Sequence, residues 1–142
     1  MIVHEVDTRM RLVVLGKGEE VIAGLTRLAE EKEWQSAYFT AIGAFRSVTL
    51  GYFEPERMAY AENTWDEQVE ACSVIGNISH FEGMVKVHAH AVIGTRSGGA
   101  FGGHLLRAEV WPTFEVLLGV SPVALERTRD PETGLGLFGA GA

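Results

Sequence analysis

The chain has 142 residues, 46% of them apolar and 22% charged, which suits one globular domain over 1–142 and excludes disordered, collagen-like and coiled-coil classes. Nineteen acidic against twelve basic residues give a formal charge of −7, and the arginines are dispersed along the chain, which argues against autonomous binding to a phosphate backbone. One cysteine excludes an internal disulfide, and there is neither a secretory signal nor an apolar run of the roughly 20 residues that span a bilayer, so a soluble cytoplasmic protein is expected.

In chain order, RMRLVVLG at 9–16 reads as a strand, and Lys17 and Gly18 then turn the chain into EEVIAGLTRLAEEKEW. Val21, Leu25, Leu28 and Ala29 fall at helical spacing, which predicts one amphipathic helix over about 19–32 with Glu19 and Glu20 in its first turn. Two β-rich runs follow, at 37–44 and 47–53, broken near Gly43 and ended by Pro55. After a polar stretch come two long alternating segments joined by a hairpin loop over 79–83. A glycine-rich TRSGGAFGG leads into HLLRAEVW, which Pro112 separates from TFEVLLGV; both are read as strands. The tail shows a turn at Asp130 and Pro131, then a short apolar plug and a frayed end. The expected fold is α+β, with one main helix near the front and a mainly antiparallel sheet of six or seven strands.

Three of the five histidines lie in MVKVHAHAVIGTRSGGAFGGH, at 84–104. On a strand successive side chains alternate, so Val87, Ala89 and Ala91 face one way and Lys86, His88 and His90 the other. Residues two apart are separated by roughly 6.6 Å at Cα, a span that two imidazoles close around one ion. His104 follows two glycines, which permit a returning neighbour strand to bring it beside the pair. Three neutral imidazoles suit zinc, and less selectively nickel, cobalt or iron, with a fourth position open to water or a small-molecule ligand. The bland alternative is an exposed polar strand face, with His104 nearby by accident.

Other polar and aromatic residues carry weaker expectations. Cys72 reads as a buried small hydrophobe, and His4 and His80 as solvated side chains. Glu109 and Glu115 are candidates for a carboxylate beside the metal or a general base, but Glu109, five residues past His104, faces the opposite side unless a bulge intervenes. Arg46 could meet an anionic substrate, although an exposed role is commoner. The aromatic pairs at 38–39 and 52–53 and Trp111 read as core or subunit interface rather than base-stacking platforms. Neither glycine-rich stretch has the GK[ST] of a phosphate loop.

Taken in order, RLVVLGKGEEVIAGLTRLAEEKEWQSAYFTAIGAFRSVTLGYF, EACSVIGNIS, VHAHAV, FGGHL and GLGLF resemble the PPC domain, the plant and prokaryote conserved domain also called DUF296. The resemblance implies a large antiparallel sheet of the kind found in acetolactate decarboxylase, assembly as a homotrimer, and a zinc site at His88, His90 and His104. Family members carry a DNA-binding label because plant relatives join the domain to AT-hooks, and this sequence has no such arginine-glycine-arginine segment. Two functions are therefore expected as alternatives. One is a trimeric zinc-binding regulatory protein, DNA-binding by family label. The other is a zinc-dependent, decarboxylase- or lyase-like enzyme acting on a small keto or hydroxy acid, with its catalytic residues unknown. A trimeric scaffold without a working metal site is the third possibility.

Overall fold

The computed structural model describes residues 1–139. Strands β1 (Ile2–Glu5) and β2 (Met10–Leu15) form an N-terminal hairpin, followed by helix α1 (Val21–Glu31). Then come β3 (Ser36–Glu54), β4 (Ala59–Trp65), β5 (Val69–Phe81), β6 (Met84–Gly94), β7 (Ala100–Ser121), β8 (Glu126–Arg129) and β9 (Gly136–Phe138). The α+β class is as expected, but among the described residues the sheet holds nine strands rather than six or seven. No helix among the described residues is long and apolar enough to cross a membrane.

The difference in strand count has identifiable causes. β1 and β4 are short or half-exposed, without the strong alternation that marks a core strand. The run expected to break near Gly43 is one strand of 19 residues whose pairing shifts register there. β7 likewise continues through Pro112, because residues 111–113 fall between its two paired stretches with β3 and no ladder N–H is needed there. β5 and β6 extend further than expected, leaving only Glu82 and Gly83 as the turn.

The helix is shorter than 19–32. Glu20 is its N-cap, with Oε2 accepting from the Ala23 N–H at 2.6 Å and Oε1 from the Ala108 N–H at 3.0 Å. One carboxylate thus caps α1 and ties it to β7. Glu19 lies before the helix and pairs with the N-terminal ammonium at 2.9 Å.

β7 pairs with β3, β3 with β5, β5 with β6, and β6 with the first part of β7, so these four strands close on themselves. Inside lie Phe39, Phe45, Phe114, Val116, Leu118 and Ile93, all fully buried. Each such side chain contributes about 1.5–3 kcal/mol by leaving water. Helix α1 packs against β6 and β7, burying Val21, Leu25, Leu28 and Ala29 in the same core as Val87, Ala89 and Ala91 of β6. The small inward residues of β6 are therefore committed to the core, and His88 and His90 are left outside.

Candidate metal centre

Strand parity places the first two imidazoles on the outer face, and pairing brings the third. His90 lies opposite His104 in the β6–β7 ladder, followed by Ala91 with Gly103 and Val92 with Gly102. Close approach at this point depends on Gly103. A Cβ there would stand 2.9 Å from the Gly51 carbonyl oxygen, a contact that real side chains essentially never make. The resulting ring centroids are 5.3 Å apart for His88 and His90, 5.0 Å for His88 and His104, and 5.2 Å for His90 and His104.

One nitrogen from each ring lies within 4.8 Å of those of the other two. A tetrahedral zinc with bonds of about 2.0–2.1 Å asks for separations of about 3.3 Å, so the rings would close further on an ion. The Nδ1 of His104 is buried with no hydrogen-bond partner, an unspent capacity that native interiors rarely leave. These donors fit a divalent metal of zinc type.

The proton affinities fit as well. His88 is pushed down to about 4, by burial first and then by the charge of Arg127. His104 is likewise lowered to about 4, by burial and then by His88 and His90. Both rings are neutral at pH 7, with lone pairs available to an ion.

Side chains that sequence reasoning did not single out hold two of the rings. Tyr60 of β4 stacks on His104, with centroids 4.8 Å apart and planes 31° from parallel. It fits because residue 51 is glycine: a Cβ there would sit 2.8 Å from Tyr60 Cδ1. Burial raises the phenol's pKa above 10.0, so it stays neutral. Behind His88 lies Arg127 of β8, whose Nη2 is 3.2 Å from His88 Nδ1. A guanidinium only donates, so Nδ1 accepts and the neutral ring carries its proton on Nε2. A neutral ring that ligates through Nε2 carries its proton on Nδ1, and one that ligates through Nδ1 has no lone pair left for the guanidinium, so metal loading at this ring gives up the Arg127 bond in either case. Neither residue had a usable sequence signal, since β4 lies in a polar stretch and Arg127 arrives through the parallel pairing of β8 with β5.

The remaining candidates lie elsewhere. A register shift in β3–β7 pairing between Thr49 and Leu50 supplies the bulge that the parity argument allowed for. Glu109 nevertheless lies in a separate cleft with Glu20, Asp66 and Arg107, and Arg46 pairs with it at 3.4 Å rather than standing free. Glu115 lines another cleft with Ile42, Thr113 and Cys72. Cys72 is exposed, not buried. His80 is not a solvated loop residue: it lies on β5, and its Nδ1 is buried without a partner. His4 is exposed, as expected. The tail is the β8–β9 hairpin, in which Leu137 and Phe138 are exposed rather than a plug. The frayed end falls at 140–142, outside the described residues.

Comparison with known proteins agrees with this architecture. The Plants and Prokaryotes Conserved (PCC) domain matches residues 5–122. A "putative DNA binding protein" from Bacteroides thetaiotaomicron is 29% identical, with 96% of this chain and 94% of that one aligned at a TM-score of 0.91. A plant- and prokaryote-conserved protein from Pyrococcus horikoshii is 31% identical over 91% and 90% of the two chains, with a TM-score of 0.85. A metal-containing protein from Archaeoglobus fulgidus is 32% identical over 96% and 97%, with a TM-score of 0.83. Acetolactate decarboxylase from Bacillus subtilis, at 11% identity, a TM-score of 0.56 and 59% of its own length covered, shares the fold. No functionally curated protein matches the sequence. With five-sixths of its length matched by the family pattern and the fold reproduced nearly end to end, the chain belongs to the plant and prokaryote conserved domain family.

Proposed function

We propose that this chain is a one-domain metal-binding protein whose ion, zinc, is held by His88, His90 and His104, with the fourth position open to a small oxygenated metabolite. The observation that carries this reading is the three imidazoles converging from two strands, with their ligand nitrogens within 4.8 Å. The metal-containing relative from Archaeoglobus fulgidus adds support. A bound divalent metal would supply Lewis-acid chemistry to a carbonyl or carboxylate oxygen. The chain's own residues contribute orientation: Tyr60 stacks on His104, Arg127 backs His88, and the low proton affinities of both rings keep them available as ligands. The matching enzyme reading is a lyase- or decarboxylase-like activity on a keto or hydroxy acid. Zinc titration against a chromogenic chelator, followed by a panel of such acids with and without metal, tests both parts. Tight binding without turnover leaves a metal-dependent binding module, and no binding ends the proposal.

Assembly as a homotrimer belongs to the same reading. Tyr38, Ile42, Ile75, Val92 and Leu117 are apolar, exposed and carried by the central strands, and a subunit interface would cover them. Sedimentation at micromolar concentration should give three chains per particle; a monomer would refute it. A cytoplasmic address is supported by the exposed free thiol of Cys72, which suits a reducing compartment.

A DNA-associated regulatory role is the second reading, favoured by the description of the Bacteroides thetaiotaomicron neighbour. The formal charge of −7 opposes it. A mobility shift that persists at physiological salt would favour DNA binding, and loss of the shift there would remove it.

A further inference from the structure

Among the described residues, Arg127 holds a charge with no opposite charge against it. It is buried, with 7% of its surface exposed, and buried charges are ordinarily paired with an opposite charge. Its Nε donates to Ser79 Oγ at 2.8 Å, Nη1 to the Gly136 carbonyl at 2.9 Å, and Nη2 to Asn77 Oδ1 at 2.9 Å and His88 Nδ1 at 3.2 Å. The guanidinium also stacks on Phe138, 4.0 Å from the ring centroid. Every one of these partners is uncharged. Four exposed arginines, Arg46, Arg57, Arg107 and Arg129, each meet a carboxylate instead.

The fixed charge sits directly behind the neutral ring of His88, one of the three imidazoles, and Lys86 adds a second cation on the same outer face of β6. We propose that Arg127 makes the open position of the histidine site selective for a small anion, the carboxylate of a metabolite, over neutral ligands of the same shape. This rests on the three-histidine metal reading. Three bonds, to Ser79, Gly136 and Asn77, anchor the guanidinium even when the His88 bond is given up to a metal, so its field is in place before a ligand arrives. An anion supplies the countercharge that Arg127 lacks among the described residues. A neutral alcohol or amide gains nothing from the same field. Arg127 is thus a positioning and specificity residue, acting through His88 and through space.

The test uses the cobalt(II)-loaded full chain, titrated with acetate and with acetamide and followed by the visible spectrum of cobalt, in wild type, Arg127→Gln and Arg127→Lys, with cobalt per chain measured in each. The expected result is acetate binding at least tenfold tighter than acetamide in the wild type, with roughly a tenfold loss of that preference in Arg127→Gln and most of it kept in Arg127→Lys. Raising the salt should weaken acetate and leave acetamide unchanged. Equal acetate affinity in wild type and Arg127→Gln, both holding cobalt, overturns the proposal. Loss of cobalt from both variants also overturns it, because Arg127 would then be structural alone. A wild type that takes up no cobalt instead defeats the metal reading itself, and that outcome is visible in the cobalt content before any anion is added.

Discussion

Two places on the outer side of β7 gather ionisable side chains, and they differ in what those groups have left to do. In the cleft of about 360 Å³ that holds Glu20, Asp66, Arg107 and Glu109, Glu20 is used up by two backbone N–H groups, Arg107 by Glu62 at 2.7 Å, and Glu109 faces Arg46. At the other end, where β7 meets β6, His104 has an unpartnered buried nitrogen, and the rings of His88 and His104 refuse protons until about pH 4. Crowding of titratable groups is common to both. A buried nitrogen without a partner is found at the histidine end and not in the cleft, and although His80 Nδ1 shares that property, only at the histidine end do three imidazoles converge.

The largest break in this comparison comes from removing a ligand. His104→Ala or His88→Ala should weaken zinc by more than about a hundredfold, beyond the range seen when only a residue supporting a ligand is lost, as read by chelator competition. Acid should act next. Both rings have folded-state pKa values near 4 against 6.5 in an open chain, so below pH 6.5 the unfolded chain takes up protons that the folded one refuses. Stability of the metal-free protein should therefore fall as pH drops from about 6.5 towards 4, seen as a lower urea midpoint. His104→Gln should shrink that fall; an unchanged profile would contradict the assigned shifts.

A smaller effect is expected at the wall of the site. Tyr60→Phe keeps the ring on His104 and should bind zinc as the wild type does, whereas Tyr60→Ala should lose about tenfold. A greater loss in Tyr60→Phe would give the hydroxyl a role that stacking does not explain. Smallest of all, Glu109→Gln should leave zinc affinity unchanged and stability within about 0.5 kcal/mol, because it alters an exposed ion pair. A zinc defect there would erase the distinction between the two regions.

The convergence of His88, His90 and His104 was legible in the sequence because it rests on strand parity and one pairing. Val87, Ala89 and Ala91 had to face inward, which turned His88 and His90 outward, and the glycines before His104 foreshadowed the close approach realised at Gly103. Single strands read as two, at Gly43 and Pro112, mark places where local breakers act within a ladder that tertiary pairing carries through. Arg127 and Tyr60 were not legible. Their positions depend on which strand β8 and β4 pair with, and no local pattern in ERTR or AYAENTW states that. Cys72 is exposed at a place where the pairing of β5 shifts register, between Ala71 and Ser73, and His80 lies where β8 pairs beside β5; neither feature has a local signal.

The central claim is most directly tested by elemental analysis of the protein purified without affinity tag or chelator, beside the triple variant in which His88, His90 and His104 are alanine. One zinc per chain in the wild type and none in the variant is the predicted result. Metal-free wild-type protein that stays empty after incubation with zinc, while folded, would contradict it.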